Sequence, residues 1–245
     1  MTPNAAISLE NVTRRFLTGG QPFAAIDNVC LDVRPGQRLA LVGPSGSGKT
    51  TLLNLMGALD RPDSGTVHCL GIELSGISER KTAAFRRARL GFIFQQDALM
   101  PELTVRENVE LPLVLLRKEP AARRSKVGLL LESLGLAEKA AELPAVLSAG
   151  EKQRVAVARA VVHDPDVLLA DEPTANLDGA TAGRVLDTIE ALAGQKSLTV
   201  VLATHDARVF GRFEAIARLE DGRLVEVRTA KATEEIRAVG HAELF

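Results

Sequence analysis

No tryptophan and no tyrosine occur in the 245 residues, so any aromatic stacking falls to the eight phenylalanines. Cysteine is nearly as scarce. Cys30 and Cys69 are too few and too far apart for a disulfide framework, and are expected to be reduced, buried small hydrophobes in a cytosolic protein. A dominant charge is missing as well. Lys plus Arg number 30 and Asp plus Glu 31, a formal net charge of -1, so no global basic excess draws the chain to nucleic acid or anionic lipid, and no nucleic-acid partner is expected. The N-terminus, Met1-Thr2-Pro3-Asn4-Ala5-Ala6, lacks the basic start and apolar run of a secretory signal. No stretch approaches the roughly 18 apolar residues that span a bilayer; the longest, Val109 to Leu116, is broken by Glu110 and Pro112. The chain is therefore expected to be soluble or peripheral, without direct membrane insertion, and to form no membrane pathway by itself.

What is present is ordinary globular material, 46% hydrophobic and 25% charged, enough for one large domain or one domain with an inserted lobe. Ile7 to Val12 and Val29 to Val33 alternate apolar and polar, as half-buried strands do, and Arg34-Pro35-Gly36-Gln37 reads as a turn. Arg38 to Val42, Asp166 to Ala170 and Leu198 to Ala203 are short apolar runs of the kind buried parallel strands make. Each delivers polar residues at its C-terminal end: the glycine-rich Gly43 to Gly48, the acids Asp171 and Glu172, and Thr204-His205. This pattern predicts a parallel α/β sheet with its site along that edge. Lys49 to Leu59 reads as a helix. From about residue 97 to 159 the sequence turns Leu-, Ala-, Glu- and Arg-rich without β-branched runs, which predicts an inserted helical lobe. The tail from Thr229 reads as a short amphipathic helix.

Gly43-Pro44-Ser45-Gly46-Ser47-Gly48-Lys49-Thr50 fits G-x-x-x-x-G-K-[ST]. Its glycines let a tight loop aim backbone N–H groups at phosphate oxygens. The helix that follows adds its positive end, Lys49 reaches the terminal phosphates, and Thr50 offers a hydroxyl to Mg²⁺. The serine-hydrolase elbow G-x-S-x-G fails here, because it needs glycine where Ser47 stands. Two adjacent acids after an apolar strand are also common at the start of an ordinary loop. Downstream of a phosphate loop they read as a pair with divided roles, Asp171 holding Mg²⁺ through water and Glu172 orienting or deprotonating the attacking water. A lone histidine is usually structural or solvated, and His68, His163 and His241 are read so. His205 differs because its strand is expected to end beside the loop, where an imidazole donates to the γ-phosphate.

Leu147-Ser148-Ala149-Gly150-Glu151-Lys152-Gln153-Arg154 resembles the signature of the ABC ATPases, departing from its commonest form, L-S-G-G-Q, at Ala149 and Glu151. Further landmarks follow the family order. Asp171 to Asp178 resembles the Walker B and D-loop run, Thr204-His205-Asp206 the H-loop, and Gly91-Phe92-Ile93-Phe94-Gln95-Gln96 the Q-loop. The resemblance covers roughly Ile7 to Val227. It implies a P-loop NTPase (RecA-like) core of mainly parallel sheet, an N-terminal antiparallel β subdomain and an inserted α-helical subdomain. On that reading residues 1–228 form the ATPase domain and 229–245 a short tail.

The same resemblance implies the site. Gly43, Pro44, Ser45, Gly46, Ser47, Gly48, Lys49, Thr50 and Thr51 bind ATP; Phe16, with Phe23 as the alternative, stacks on adenine. Thr50, Gln95 and Asp171 hold Mg²⁺, and Glu172, His205 and Gln95 serve hydrolysis. One chain would hold an incomplete site: a second subunit, as in a homodimer, would bring Ser148, Ala149, Gly150 and Glu151 over the ATP, with Asp178 at the contact. The motion would reach a separate membrane permease from the cytoplasmic face. Phe85 to Gln95, then Glu107 to Leu113, look like the macrolide-exporter and lipoprotein-release ATPases, which implies export or extraction. Two rival implications are a subunit that signals to a membrane partner without transport, like the cell-division member of that subfamily, and a soluble non-transport ABC protein.

Overall fold

The structure, a computed structural model, describes residues 5–95, 98–175, 177–206, 209 and 211–229. Gln96, Asn176, His241 and the tail from residue 230 lie outside the described residues. The chain divides into two compact units, Met1–Gly76 with Val201–Phe245, and Ile77–Val200.

In the first unit, β1 (Ile7–Thr18) and β2 (Gln21–Val33) form a long antiparallel hairpin. β4 (Ser64–Cys69) pairs with β1, and β5 (Ile72–Glu73) with β4, giving an antiparallel sheet of order β2-β1-β4-β5. A second set has β3 (Arg38–Val42) parallel to β9 (Ala215–Glu220), which pairs antiparallel with β10 (Arg223–Thr229). The helix α1 (Lys49–Met56) follows β3. Both hairpin strands run past the alternation seen in the sequence. Pairing of β1 with β2 shifts register between Leu9 and Val12, Val12 and Arg14, and Arg14 and Arg15, and such bulges break a strict period of two.

Two expectations are corrected in this unit. The first helix stops at Met56 and does not reach Leu59, because Ala58 turns left-handed at φ 51°. Cys30 is exposed, not buried: it shares the solvent side of β2 with Asp32, between the buried Val29, Leu31 and Val33, and its thiol donates to Asn11 Oδ1 at 3.4 Å. Cys69 is buried.

The second unit opens with α2 (Glu79–Arg89) and β6 (Leu90–Ile93), which runs parallel to β7 (Val167–Asp171). Between these strands lie α3 (Val105–Leu115), α4 (Pro120–Ser133), two short 3-10 turns at Ala137–Lys139 and Pro144–Val146, and α5 (Ala149–Val161). The helices α3 to α5 share an apolar cluster that includes Val105, Val109, Leu113, Val127, Leu131, Val155 and Ala158. The valine and leucine side chains among them stabilise by roughly 1.5–3 kcal/mol each when fully buried. Asn108, on α3, is one of the buried polar residues of this unit. Its amide donates to the carbonyls of Met100, Leu103 and Thr104 and accepts from Met100 N, pinning the segment that leads into α3. After β7 comes α6 (Gly179–Lys196), and the chain returns to the first unit within β8 (Thr199–Thr204), in which all six residues are buried.

His163, just beyond α5, donates from Nε2 to Leu90 O at 3.0 Å. Burial pushes its pKa below the ordinary 6.5, against the opposing pull of that carbonyl and of Asp164. A depressed histidine makes the unfolded chain the stronger proton binder. Its contribution is thus full above about pH 6.5 and is lost as pH falls toward the folded value. The melting temperature is expected to drop between about pH 7.5 and 5.5, and to drop less in His163→Gln. Identical pH slopes for the two chains would exclude His163 as a source of the acid sensitivity.

Candidate active site

The loop after β3 is shaped by close approaches. Gly48 has φ 101°, and a Cβ there would lie 2.3 Å from Ala25 O; at Gly43 a Cβ would meet Leu219 O at 2.1 Å. The loop is also held from behind. Gly222, in the turn between β9 and β10, donates to Ser47 O at 3.0 Å while its own carbonyl accepts from Asp27 N at 2.8 Å. Lys49 is buried, and its ammonium folds back to donate to Gly43 O and Pro44 O, both at 2.9 Å. The Ser47 hydroxyl is buried with no hydrogen-bond partner among the described residues. Helix α1 starts at Gly48 without a side-chain cap and with no acid in its first turn, so its positive end carries no internal counter-charge. Thr50 is exposed and Thr51 half-buried on that turn; Pro44, Ser45 and Gly46 are exposed. Such an arrangement can cradle a polyphosphate. His205, exposed at the end of β8, lines an open cleft of about 480 Å³ together with Val42, Gly43 and Pro44.

Phe16 stands elsewhere in the same unit, on the long hairpin, directly opposite Phe23 in register. It is 40% exposed and Phe23 51%, so neither ring belongs to the core. The guanidinium of Arg14 lies 4.8 Å from the Phe16 ring centroid.

In the second unit, β6 and β7 end side by side, with Ile93 opposite Ala170, so Gln95, Asp171 and Glu172 leave the same edge. Asp171 and Glu172 are both buried. Glu172 adopts φ 47°, a left-handed conformation that costs a side-chain-bearing residue energy. Its carbonyl accepts from Ala175 N at 3.0 Å, closing the turn. Gln95 is exposed.

Ser148 caps α5 through a reciprocal box. Its hydroxyl accepts from Glu151 N at 3.3 Å and donates to Glu151 Oε2 at 2.7 Å, and its backbone N donates to the same oxygen at 2.8 Å. Those bonds from Ser148 hold the Glu151 carboxyl below the usual carboxylate range. Ala149 is exposed in the first turn, whereas Gly150 is buried, where a Cβ would lie 2.3 Å from Thr181 Cγ2. Gly150 therefore lets α5 close on α6. Asp178 caps α6, accepting from Ala180 N and Thr181 N at 3.0 Å, and its bonds with Thr181 hold its carboxyl down. Ser148, Gly150, Glu151 and Asp178 line one hollow of about 260 Å³ with Arg154 and Arg184.

The structure thus groups Lys49 and its loop with His205, Gln95 with Asp171 and Glu172, and the signature residues with Asp178. Three residues beside these candidates were not singled out from the sequence: Arg14, Arg154 and Arg184. For Arg14 a signal existed, since it lies two residues before Phe16 on a strand and so shares its side of the sheet. Arg154 and Arg184 join their hollow through the packing of two helices far apart in sequence.

The class that fold and loop define is the P-loop nucleotide hydrolase. A family model described as ABC transporter matches residues 26–175. The lipoprotein-releasing system ATP-binding protein LolD of Pseudomonas syringae is 40% identical over 92% of this chain and 100% of its own length. The macrolide export ATP-binding/permease protein MacB of Rhodopseudomonas palustris is 40% identical over 97% of this chain, which spans 36% of that relative. Among solved structures, the dimeric ATP-binding cassette MJ0796, in a post-hydrolysis state with ADP and phosphate, superposes with a TM-score of 0.86 at 36% identity, covering 91% of this chain and 98% of that one. The chain belongs to the ABC transporter family, as an ATP-binding and ATP-hydrolysing subunit.

Proposed function

We propose that this chain works at the cytoplasmic face of a membrane as one of a pair of ATPase subunits, driving a separate permease that expels or extracts its substrate. The observation that carries this reading is the match to a lipoprotein-releasing ATP-binding protein across that relative's whole length. Among the described residues no helix is long and apolar enough to cross a membrane. The polyphosphate cradle around Gly43 to Thr51 receives ATP. In this proposal Phe16 stacks on the base, Lys49 donates to the terminal phosphates, Glu172 takes the proton of the attacking water, and His205 donates to the γ-phosphate. Ser148 and Gly150 come from a second copy arranged head to tail, with Asp178 at the contact. Loss of the γ-phosphate contacts on hydrolysis then lets the pair part.

Among the described residues no group of three or more His, Cys, Asp or Glu side chains could hold a metal ion. A hydroxyl, a carboxylate and an amide oxygen, from Thr50, Asp171 and Gln95, instead suit Mg²⁺ brought in with the nucleotide, which takes few protein ligands beside phosphates and water. Bound there, Mg²⁺ would neutralise charge on the phosphate oxygens.

The test uses the tagged Glu172→Gln chain with ATP and Mg²⁺ to capture its partner from detergent-solubilised native membranes. The expected catch is a permease with few transmembrane helices and a large external domain. Capture of soluble partners alone, or of a second copy only, would overturn the transport reading. A membrane partner without a transport pathway would move the protein to a signalling role.

A further inference from the structure

We infer that Arg14, clamped by Asp60 and Asp63, is a positioning residue that holds the Phe16 ring as a base-stacking platform and fixes that platform to the far end of the phosphate-binding helix. This rests on the proposed stacking of Phe16 on the base.

Phe16 and Phe23 are opposed on one hairpin with 40% and 51% of their surfaces exposed. Neighbouring large apolar rings left in water mark a surface that something covers. One face of the Phe16 ring is already taken, since the Arg14 guanidinium sits 4.8 Å from its centroid, within cation–π range. That guanidinium is fixed. Its Nε donates to Asp60 Oδ2 and its Nη1 to Asp63 Oδ1, both at 2.9 Å, and its side chain is 24% exposed. Asp63 is held in turn, with Oδ2 accepting from Arg15 N at 2.6 Å and its own N donating to Thr13 O at 2.8 Å. A base therefore has the opposite face of the ring to stack on, and the ring cannot fold back onto the side Arg14 occupies.

The same clamp reaches the phosphate end. Asp60 and Asp63 lie in the segment that leaves α1, and both Leu59 N and Asp60 N donate to Asn54 O, at 2.8 and 3.2 Å. Asn54 is on α1, whose first residue is Lys49. A continuous set of contacts thus runs from the ammonium at the phosphates, along one helix, through two carboxylates and a guanidinium, to the aromatic ring. Exposed ion pairs contribute little stability by themselves. The arrangement is better suited to holding a distance, between the subsite for the base and the subsite for the phosphates. Stacking accepts any base, so the platform acts on the nucleoside as such and not on the identity of the base.

The experiment titrates the full chain and its variants with ATP and, separately, with inorganic tripolyphosphate, which has no base. Arg14→Met is expected to weaken ATP about two- to fivefold, the range of an exposed cation–π contact, and to leave tripolyphosphate unchanged. Arg14→Lys, which keeps a cation, is expected to recover part of the loss. Phe16→Ala is expected to weaken ATP further, and Arg14→Met added to it should have no additional effect, because the ring it positions is gone. Unchanged ATP affinity in Phe16→Ala would mean that the stacking reading itself is wrong, and the inference falls with it. If Phe16→Ala weakens ATP while Arg14→Met does not, or weakens tripolyphosphate equally, the platform stands and the role of Arg14 is overturned.

Discussion

Lys49→Ala is expected to lose ATP binding, with affinity falling on the order of a hundredfold or more, as follows from removing about 3 kcal/mol of charge-assisted hydrogen bonding. An ammonium has three protons to donate. Two of them go to Gly43 O and Pro44 O at 2.9 Å, which leaves the third for a phosphate oxygen. The substitution removes both the charge and the strut that ties the helix to the start of the loop. Titration with ATP, alongside a thermal melt to show that the chain still folds, reads the effect. Unchanged nucleotide affinity would sink the assignment of the loop.

Glu172→Gln is expected to separate binding from chemistry. Glutamine has nearly the shape of glutamate, and the site is tight, since Glu172 is only 8% exposed. An amide cannot take a proton from water at neutral pH, so turnover should fall on the order of a hundred- to ten-thousandfold while ATP still binds. With hydrolysis blocked, the ATP-bound pair should accumulate, readable as a doubling of mass by light scattering. Normal turnover in this variant would place the base elsewhere.

The parts of the fold legible in the sequence were those written locally. Arg38 to Val42, Val167 to Asp171 and Thr199 to Thr204 are runs buried at every position or nearly so, and such runs announce themselves. The capping box of Ser148 and Glu151 at α5 is a local pattern of the same kind, a serine followed three residues later by an acid. The hairpin of β1 and β2 was only half seen, because its register shifts interrupt the alternation. β9 and β10 went unread although Asp221-Gly222 between them is a strong hairpin turn. What no local pattern could supply is which distant residues meet. Gly150 looked like a residue awaiting phosphate; only the packing of α5 on α6 shows that it also has a neighbour in Thr181. Arg14 looked like one charge among thirty, until Asp60 and Asp63 closed on it.

The grip of Gly222 on the phosphate loop bears on how the protein is made. The loop is encoded near residue 45, yet the backbone that holds Ser47 from behind belongs to residue 222, and β3, which launches the loop, takes β9 as a parallel neighbour. A ribosome releasing this chain has translated the whole nucleotide-gripping sequence long before the turn that shapes it emerges. Contacts so distant in sequence form late, since the intervening chain must first be brought together. A nascent chain stalled before β9 therefore carries the complete motif in a loop without its support. Nucleotide should begin to bind only as β9 and β10 arrive, which makes ATP capture by ribosome-bound chains a marker of their emergence.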